Sequence, residues 1–195
     1  MSQKTQDVEL PQVPQDTISS LAFGTVSNTP VVIAGSWTKA VTAWRIGATG
    51  VSYAAAFEHD APVLSTAMDP NTSFVLSAGA DNTVRAWDLV SNQQMVIGQH
   101  PAPIKDVRCL PSINAIVTGG WDSMIRYWDV RSQTKQPVAE VPLPGKVYAM
   151  DASGNVVLAG LEKNMFCTID IRKPTTFASN GVVKQEYQVC ELAHC

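Results

Sequence analysis

Runs of four to seven residues rich in β-branched, aromatic and aliphatic side chains alternate with turn-forming pairs along most of the chain. Val63 to Met68, Phe74 to Ala78, Thr83 to Asp88 and Gln94 to Gly98 are separated by Asp69-Pro70-Asn71, Asp81-Asn82 and Ser91-Asn92, which break or reverse a chain. The same arrangement returns at Ile104 to Leu110, Ala115 to Gly119, Met124 to Asp129 and Val138 to Val141, with breaks at Pro111-Ser112 and Ser132-Gln133. The pattern predicts an all-β chain built from units of four short strands.

A tryptophan-centred signature marks each unit. Val41-Thr42-Ala43-Trp44-Arg45-Ile46, Val84-Arg85-Ala86-Trp87-Asp88-Leu89 and Ile125-Arg126-Tyr127-Trp128-Asp129-Val130 are followed by a faded copy, Met165-Phe166-Cys167-Thr168-Ile169-Asp170-Ile171. Trp44, Trp87, Trp128 and Ile169 lie 43, 41 and 41 residues apart, the period of a propeller blade rather than of a helical repeat. Pro62, Pro103 and Pro144 recur at intervals of 41, just before an innermost strand, where no ladder donor is lost. The first blade lacks this proline and offers Asp16 to Phe23 as its innermost strand. The organisation read from the repeat is an N-terminal segment over 1–15, four blades over 16–176 and a divergent tail over 177–195. Asp7-Val8-Glu9-Leu10 is expected as a short closing strand, and one outer strand is expected around Gly181 to Val189.

Composition narrows the function classes. With 195 residues, 45% of them apolar, the chain can bury a core, and a formal charge of -3 argues against a dedicated duplex-DNA binder. Cys109, Cys167, Cys190 and Cys195 have no disulfide-framework spacing, which points to a reducing, intracellular setting. No run of about 18 apolar residues is present, so no membrane partner is expected. Cys190, His194 and Cys195 are soft donors without a fourth ligand, and Gly35-Ser36, Gly79-Ala80 and Gly119-Gly120 precede strands instead of helices. No metal and no cofactor follow from them.

Two sets of polar residues invite a catalytic reading. His59, Ser77, Asp81 and Trp87 recur as His100, Thr118, Asp122 and Trp128, with identical internal spacings. Ser, His and Asp are the members of a hydrolase triad, and a hydrolase using His59, Ser77 and Asp81 is one alternative. Against it, the set is duplicated, Thr replaces the nucleophile once, and no Gly-x-Ser-x-Gly elbow surrounds Ser77. The structural alternative is a tetrad in which Asp orients His, His meets the hydroxyl, and the hydroxyl accepts the indole N–H of a buried Trp. Blade one has Ala34 and Thr38 at the hydroxyl and Asp positions and blade four has Val141, Ala159, Lys163 and Ile169 for the set, so both are expected to rely on apolar packing. Arg85 and Arg126 stand two residues before their Trp, placed for a stack or a local salt bridge. Trp37 and Trp121 sit one before the Asp position of their loops; each either anchors a partner or packs on its own blade.

Ile33-Ala34-Gly35-Ser36-Trp37, Ser91-Asn92-Gln93 with Ile97-Gly98-Gln99-His100, Ala102-Pro103-Ile104-Lys105, and Thr118-Gly119-Gly120-Trp121-Asp122 with Tyr127-Trp128-Asp129-Val130-Arg131-Ser132 together resemble one branch of the WD40 family, the nuclear-pore-associated mRNA export factors of the Rae/Gle type. The resemblance covers roughly residues 7–176. It implies a seven-bladed propeller without catalytic activity, working in the nucleus or at the nuclear envelope. Such a scaffold would dock a GLEBS segment of an FG nucleoporin and serve messenger ribonucleoprotein export, with weak RNA contact. The related spindle-checkpoint propeller, a kinetochore adaptor, is the alternative within the family. Trp37 and Trp121 match positions assigned to the binding face. Four blades against seven suggests a truncated isoform or gene model, for which closure as a four-bladed ring, dimerisation that completes the circle and a poorly soluble fragment compete; an open arc is expected, with exposed blade edges available for self-association.

Overall fold

A computed structural model describes residues 7–132 and 134–173, and the backbone of 177–182. It contains four antiparallel four-stranded sheets. Blade one comprises β1 (Ile18–Val26), β2 (Thr29–Ser36), β3 (Ala40–Gly47) and β4 (Gly50–Glu58). Blade two is β5 (Val63–Met68), β6 (Phe74–Gly79), β7 (Thr83–Asp88) and β8 (Gln93–Gln99), and blade three is β9 (Ile104–Leu110), β10 (Ala115–Gly120), β11 (Met124–Trp128) and β12 (Ala139–Pro142). Blade four adds β13 (Val147–Ser153), β14 (Val156–Leu161), β15 (Met165–Asp170) and β16 (Phe177–Val182). Each sheet is a simple meander, so sequence neighbours pair and the turn chemistry sets the register. Left-handed residues occupy the turn between the second and third strands of every blade: Lys39 (φ 75°), Asn82 (φ 66°), Ser123 (φ 60°), and Lys163 and Asn164 (φ 61° and 57°).

Innermost strands β1, β5, β9 and β13 pack in succession, and among the described residues no comparable packing joins β13 back to β1. The chain is a partial propeller, an open arc. Its cores are the layers between blades. Val31, Ile33, Val41 and Ala43 of blade one meet Val63, Val75 and Trp87 of blade two. Leu76, Val84 and Ala86 meet Ile104, Ile116 and Trp128, and Val117, Ile125 and Tyr127 meet Val147, Met150 and Ile169. One rule emerges: the signature residue of each blade is buried against the blade before it. Gly98 shows how closely, because a Cβ there would run into the Trp128 ring. Each buried indole contributes about 2–3 kcal/mol by removal of apolar surface from water.

Blade one has no preceding blade among the described strands, and the N-terminal segment takes that place. Residues 7–10 form no strand, contrary to the expectation of a closing strand on the last blade. Leu10 instead packs against Val32, Ala34 and Trp44, and the Trp44 indole donates to the Pro11 carbonyl at 2.6 Å. The physical reason is local: Pro11 has no N–H for a ladder, while Trp44 needs an acceptor. The outer strand of blade four also differs from expectation. It lies at Phe177–Val182, within the stretch assigned to the tail, and overlaps the anticipated strand only at 181–182. Cys190, His194 and Cys195 lie outside the described residues.

Candidate functional site: the loop face and the networks beneath it

All four loops between second and third strands are pinned to the start of their own blade. Trp37 N–H donates to Thr17 O (3.0 Å), Ala80 N–H to Pro62 O (2.8 Å), Trp121 N–H to Pro103 O (2.9 Å) and Glu162 N–H to Lys146 O (2.9 Å). The repeating bond makes one face of the arc from equivalent, rigidly held loops. Trp37 is 51% exposed there, whereas Trp121 is partly buried, with its ring 6.2 Å from that of Tyr148 in blade four. The Trp121 Nε1–H is buried without a protein acceptor. The two indoles stand on blades one and three, with Ala80 of blade two on the intervening loop.

Beneath this face, the second and third blades carry the expected His networks. In blade three, Trp128 Nε1–H donates to Thr118 Oγ1 at 2.8 Å, Thr118 Oγ1 meets His100 Nε2 at 2.8 Å, and His100 Nδ1 meets both Asp122 oxygens at 3.0 Å. The donors run consistently if the imidazole is neutral with its proton on Nδ1. Burial lowers the His100 pKa, more than its hydrogen bond to the Asp122 carboxylate raises it, which agrees with that assignment. Burial also pushes Asp122 up, but hydrogen bonds from His100 and Arg126 outweigh it and hold the carboxyl below its usual range.

Blade two departs from the expected tetrad. His59 Nε2 meets Ser77 Oγ at 2.7 Å and His59 Nδ1 meets Asp81 at 2.9 Å, yet the Trp87 indole donates to Asn92 Oδ1 at 3.0 Å and not to Ser77. Asn92 holds a left-handed turn position (φ 56°) after Asp88, from which its amide reaches the indole. The Asp81 carboxyl, pushed up by burial, is held well below its usual range by His59 and Thr83. Ser77 and Thr118 are both 0% exposed and His59 and His100 both 3%, so neither hydroxyl is open to solvent. The arrangement has the contacts of a catalytic triad and the burial of a core network.

The arginines make salt bridges. Arg85 reaches Asp81 (3.0 Å) and Asp60 (2.8 Å), and Arg126 reaches Asp122 and Glu140 (2.6 Å to the latter). Blade one, expected to rest on apolar packing alone, has its own polar chain: Thr38 Oγ1–H to Ser36 Oγ (3.1 Å) and Ser36 Oγ–H to Thr17 O (3.1 Å).

Sequence reasoning missed one central residue. Asp106 is 6% exposed and accepts from Ser65 Oγ of blade two (2.8 Å), from its neighbour Val107 N–H (2.9 Å) and from Met150 N–H of blade four (2.9 Å), with Arg108 alongside. One carboxylate thus ties three blades. Burial pushes its pKa up, against the pull of Arg108, Ser65 and the Met150 N–H. Ser20, Ser65 and Asp106 hold the same register two residues into their innermost strands, so the repeated polar residue at that position was the signal available. Ser20 itself bonds Thr66 at 2.8 Å across the first interface.

Among the described residues, no three His, Cys, Asp or Glu side chains cluster as a metal site, and no helix is long and apolar enough to cross a membrane. A cavity of about 120 Å³ between blades two and three is lined by Phe74, Leu76, Cys109, Leu110 and Ile116, and burial pushes the Cys109 thiol up to about 12.

The sequence pattern of the WD domain, G-beta repeat matches residues 52–88 and 91–129. The chain is 34% identical over 99 residues to the Protein RAE1 of Arabidopsis thaliana, and 37% identical over 96 and 95 residues to the mRNA export factors of Xenopus tropicalis and Danio rerio. These stretches cover 48–49% of this chain but only 26–28% of the relatives, so the chain spans about a quarter of the length of the proteins it matches. Two WD40 repeats thus lie within the chain's partial propeller, and about half its length is similar to the Rae1-type mRNA export factors.

Proposed function

We propose that this protein is a non-enzymatic scaffold for mRNA export at the nuclear pore, and that its loop face docks a GLEBS-type segment of an FG nucleoporin. The observation that carries the reading is Trp37: a large indole, half exposed, on a loop whose backbone is fixed by the Thr17 carbonyl. An aromatic anchor held rigid before binding loses little conformational freedom on docking, which is what interface hot spots require. The relatives named as mRNA export factors supply the process. Trp121 is the second anchor, its buried and unpartnered N–H offering a donor to a partner that moves the Tyr148 contact. Any contact with messenger ribonucleoprotein is a weak one, since the formal charge is -3.

Calorimetric titration of the chain with a synthetic GLEBS peptide tests this. Trp37→Ala should weaken binding by tenfold or more, corresponding to about 1.4 kcal/mol, with Trp121→Ala weaker in effect because that indole also packs on Tyr148. Unchanged affinity in both variants, or no binding by the parent chain, contradicts the proposal.

A further inference from the structure

The interfaces between successive blades share one register, and the middle interface is underfilled at the end away from the loop face. Trp87 faces Val75, which faces Met68; Trp128 faces Ile116, which faces Cys109; Ile169 faces Val157, which faces Ala152. Met68, Cys109 and Ala152 therefore hold the same place on their innermost strands. In the blade before each, the matching residues at the end of the innermost strand are Gly24, Asp69 and Leu110, which face Val31, Phe74 and Ala115.

At the first interface the long Met68 side chain lies over Gly24, where no Cβ would fit. At the third the large member is Leu110, 2% exposed, in the cluster against which Ala152 packs. The second interface has no large member. Cys109 is short, and the Asp69 carboxylate faces its own turn, accepting from Asn71 N–H (2.9 Å) and Thr72 Oγ1–H (2.8 Å). The cavity of about 120 Å³ lies at this place, between Phe74 and Leu76 of blade two and Cys109 and Ile116 of blade three. Its walls forgo the dispersion contacts that Met68 makes one interface earlier.

Volume and lining define what fits. A dry cavity of roughly 150 Å³ lined by Leu, Ile and Phe accepts a benzene molecule. Phe74, Leu76, Ile116 and Val130 belong to one apolar cluster. The charged groups at the rim are already paired, Asp69 within its turn and Arg131 with Asp129 at 3.1 Å. Burial pushes the Cys109 thiol up to about 12, so it is a neutral wall group near pH 7. An ion entering here would lose its hydration and gain no partner. The turn from β5 to β6 borders the cavity, whereas the Ala80 loop leaves the opposite end of β6, so an occupant would not compete for the face that carries Trp37 and Trp121.

We propose that the gap between blades two and three is a binding site for a free, uncharged apolar molecule the size of one aromatic ring or a short branched alkane, seated where Met68 fills the preceding interface. Such a ligand binds only the folded chain and ties blade two to blade three.

Benzene is the probe and benzoate the charged control. At about ten times its Kd, benzene should raise the thermal unfolding midpoint by roughly 3–6 °C. Benzoate should leave the midpoint unchanged. Cys109→Met places in the gap the side chain found at position 68 and should lose the benzene response. Methyl NMR of the parent chain is a test independent of how that variant folds: benzene should shift the Leu76 and Ile116 resonances and leave Ile33, in the filled first interface, in place. No midpoint shift with benzene, an equal shift with benzoate, a response retained by folded Cys109→Met, or methyl shifts as large at Ile33 as at Ile116 overturns the proposal.

Discussion

Blades two and three carry the same four polar residues at the same spacing, yet they satisfy their buried tryptophans differently. In blade three the Trp128 N–H, Thr118, His100 and Asp122 form one continuous chain. In blade two the chain stops at Ser77, and Trp87 turns to Asn92 in the adjoining turn. Blade one widens the contrast, since Trp44 finds its acceptor in the Pro11 carbonyl outside the repeat. What is constant is the obligation to pair a buried N–H; which group meets it depends on what the local turn brings within reach.

The comparison breaks most visibly at the hydroxyls. Thr118→Val leaves both the Trp128 N–H and His100 Nε2 without a buried partner and should cost about 3 kcal/mol, whereas Ser77→Ala strands only His59 Nε2 and should cost about half as much. Chemical denaturation of the two variants measures the ratio, and equal losses would mean the networks are equivalent. Deletion of residues 1–11 should cost about 2 kcal/mol, by exposing the Trp44 surface under Leu10 and removing its acceptor, read by the same denaturation midpoint. Asn92→Gly keeps the left-handed backbone while removing the amide, and should cost about 1 kcal/mol with no effect on blade three.

The smallest effect is on pH. His100 has a folded-state pKa below its unfolded value near 6.5, so its contribution is full above that value and is lost as pH falls through and below it. Asp122 is likewise depressed, and its contribution disappears as pH falls below about 4. Both act in the same direction. Thermal unfolding between pH 7 and pH 5 should fall by a few degrees at most, given about 2–4 °C per kcal/mol for a chain of this size. His100→Gln should flatten that slope, and an unchanged slope would remove His100 as its source.

Much of this was legible because the repeat carries it. Strand limits in blades two and three fall within a residue or two of those read from turn pairs such as Asp81-Asn82, since the turn residues themselves set the register. The contacts that escaped are those made outside the repeat or between copies of it. Pro11 lies before the first blade, so nothing periodic points from it to Trp44. Asn92 looked like an ordinary turn residue, and only its distance from Trp87 reveals a second task. Asp106 binds Ser65 and Met150 across two interfaces, and a carboxylate on an innermost strand has no meaning until neighbouring blades are placed beside it.

A pair of double-mutant cycles tests the contrast most directly. Thr118→Val combined with Trp128→Phe should show a coupling of about 1–2 kcal/mol, because those two groups share a hydrogen bond. Ser77→Ala combined with Trp87→Phe should couple by no more than about 0.5 kcal/mol, since no bond joins them. Equal couplings in the two blades would contradict the account.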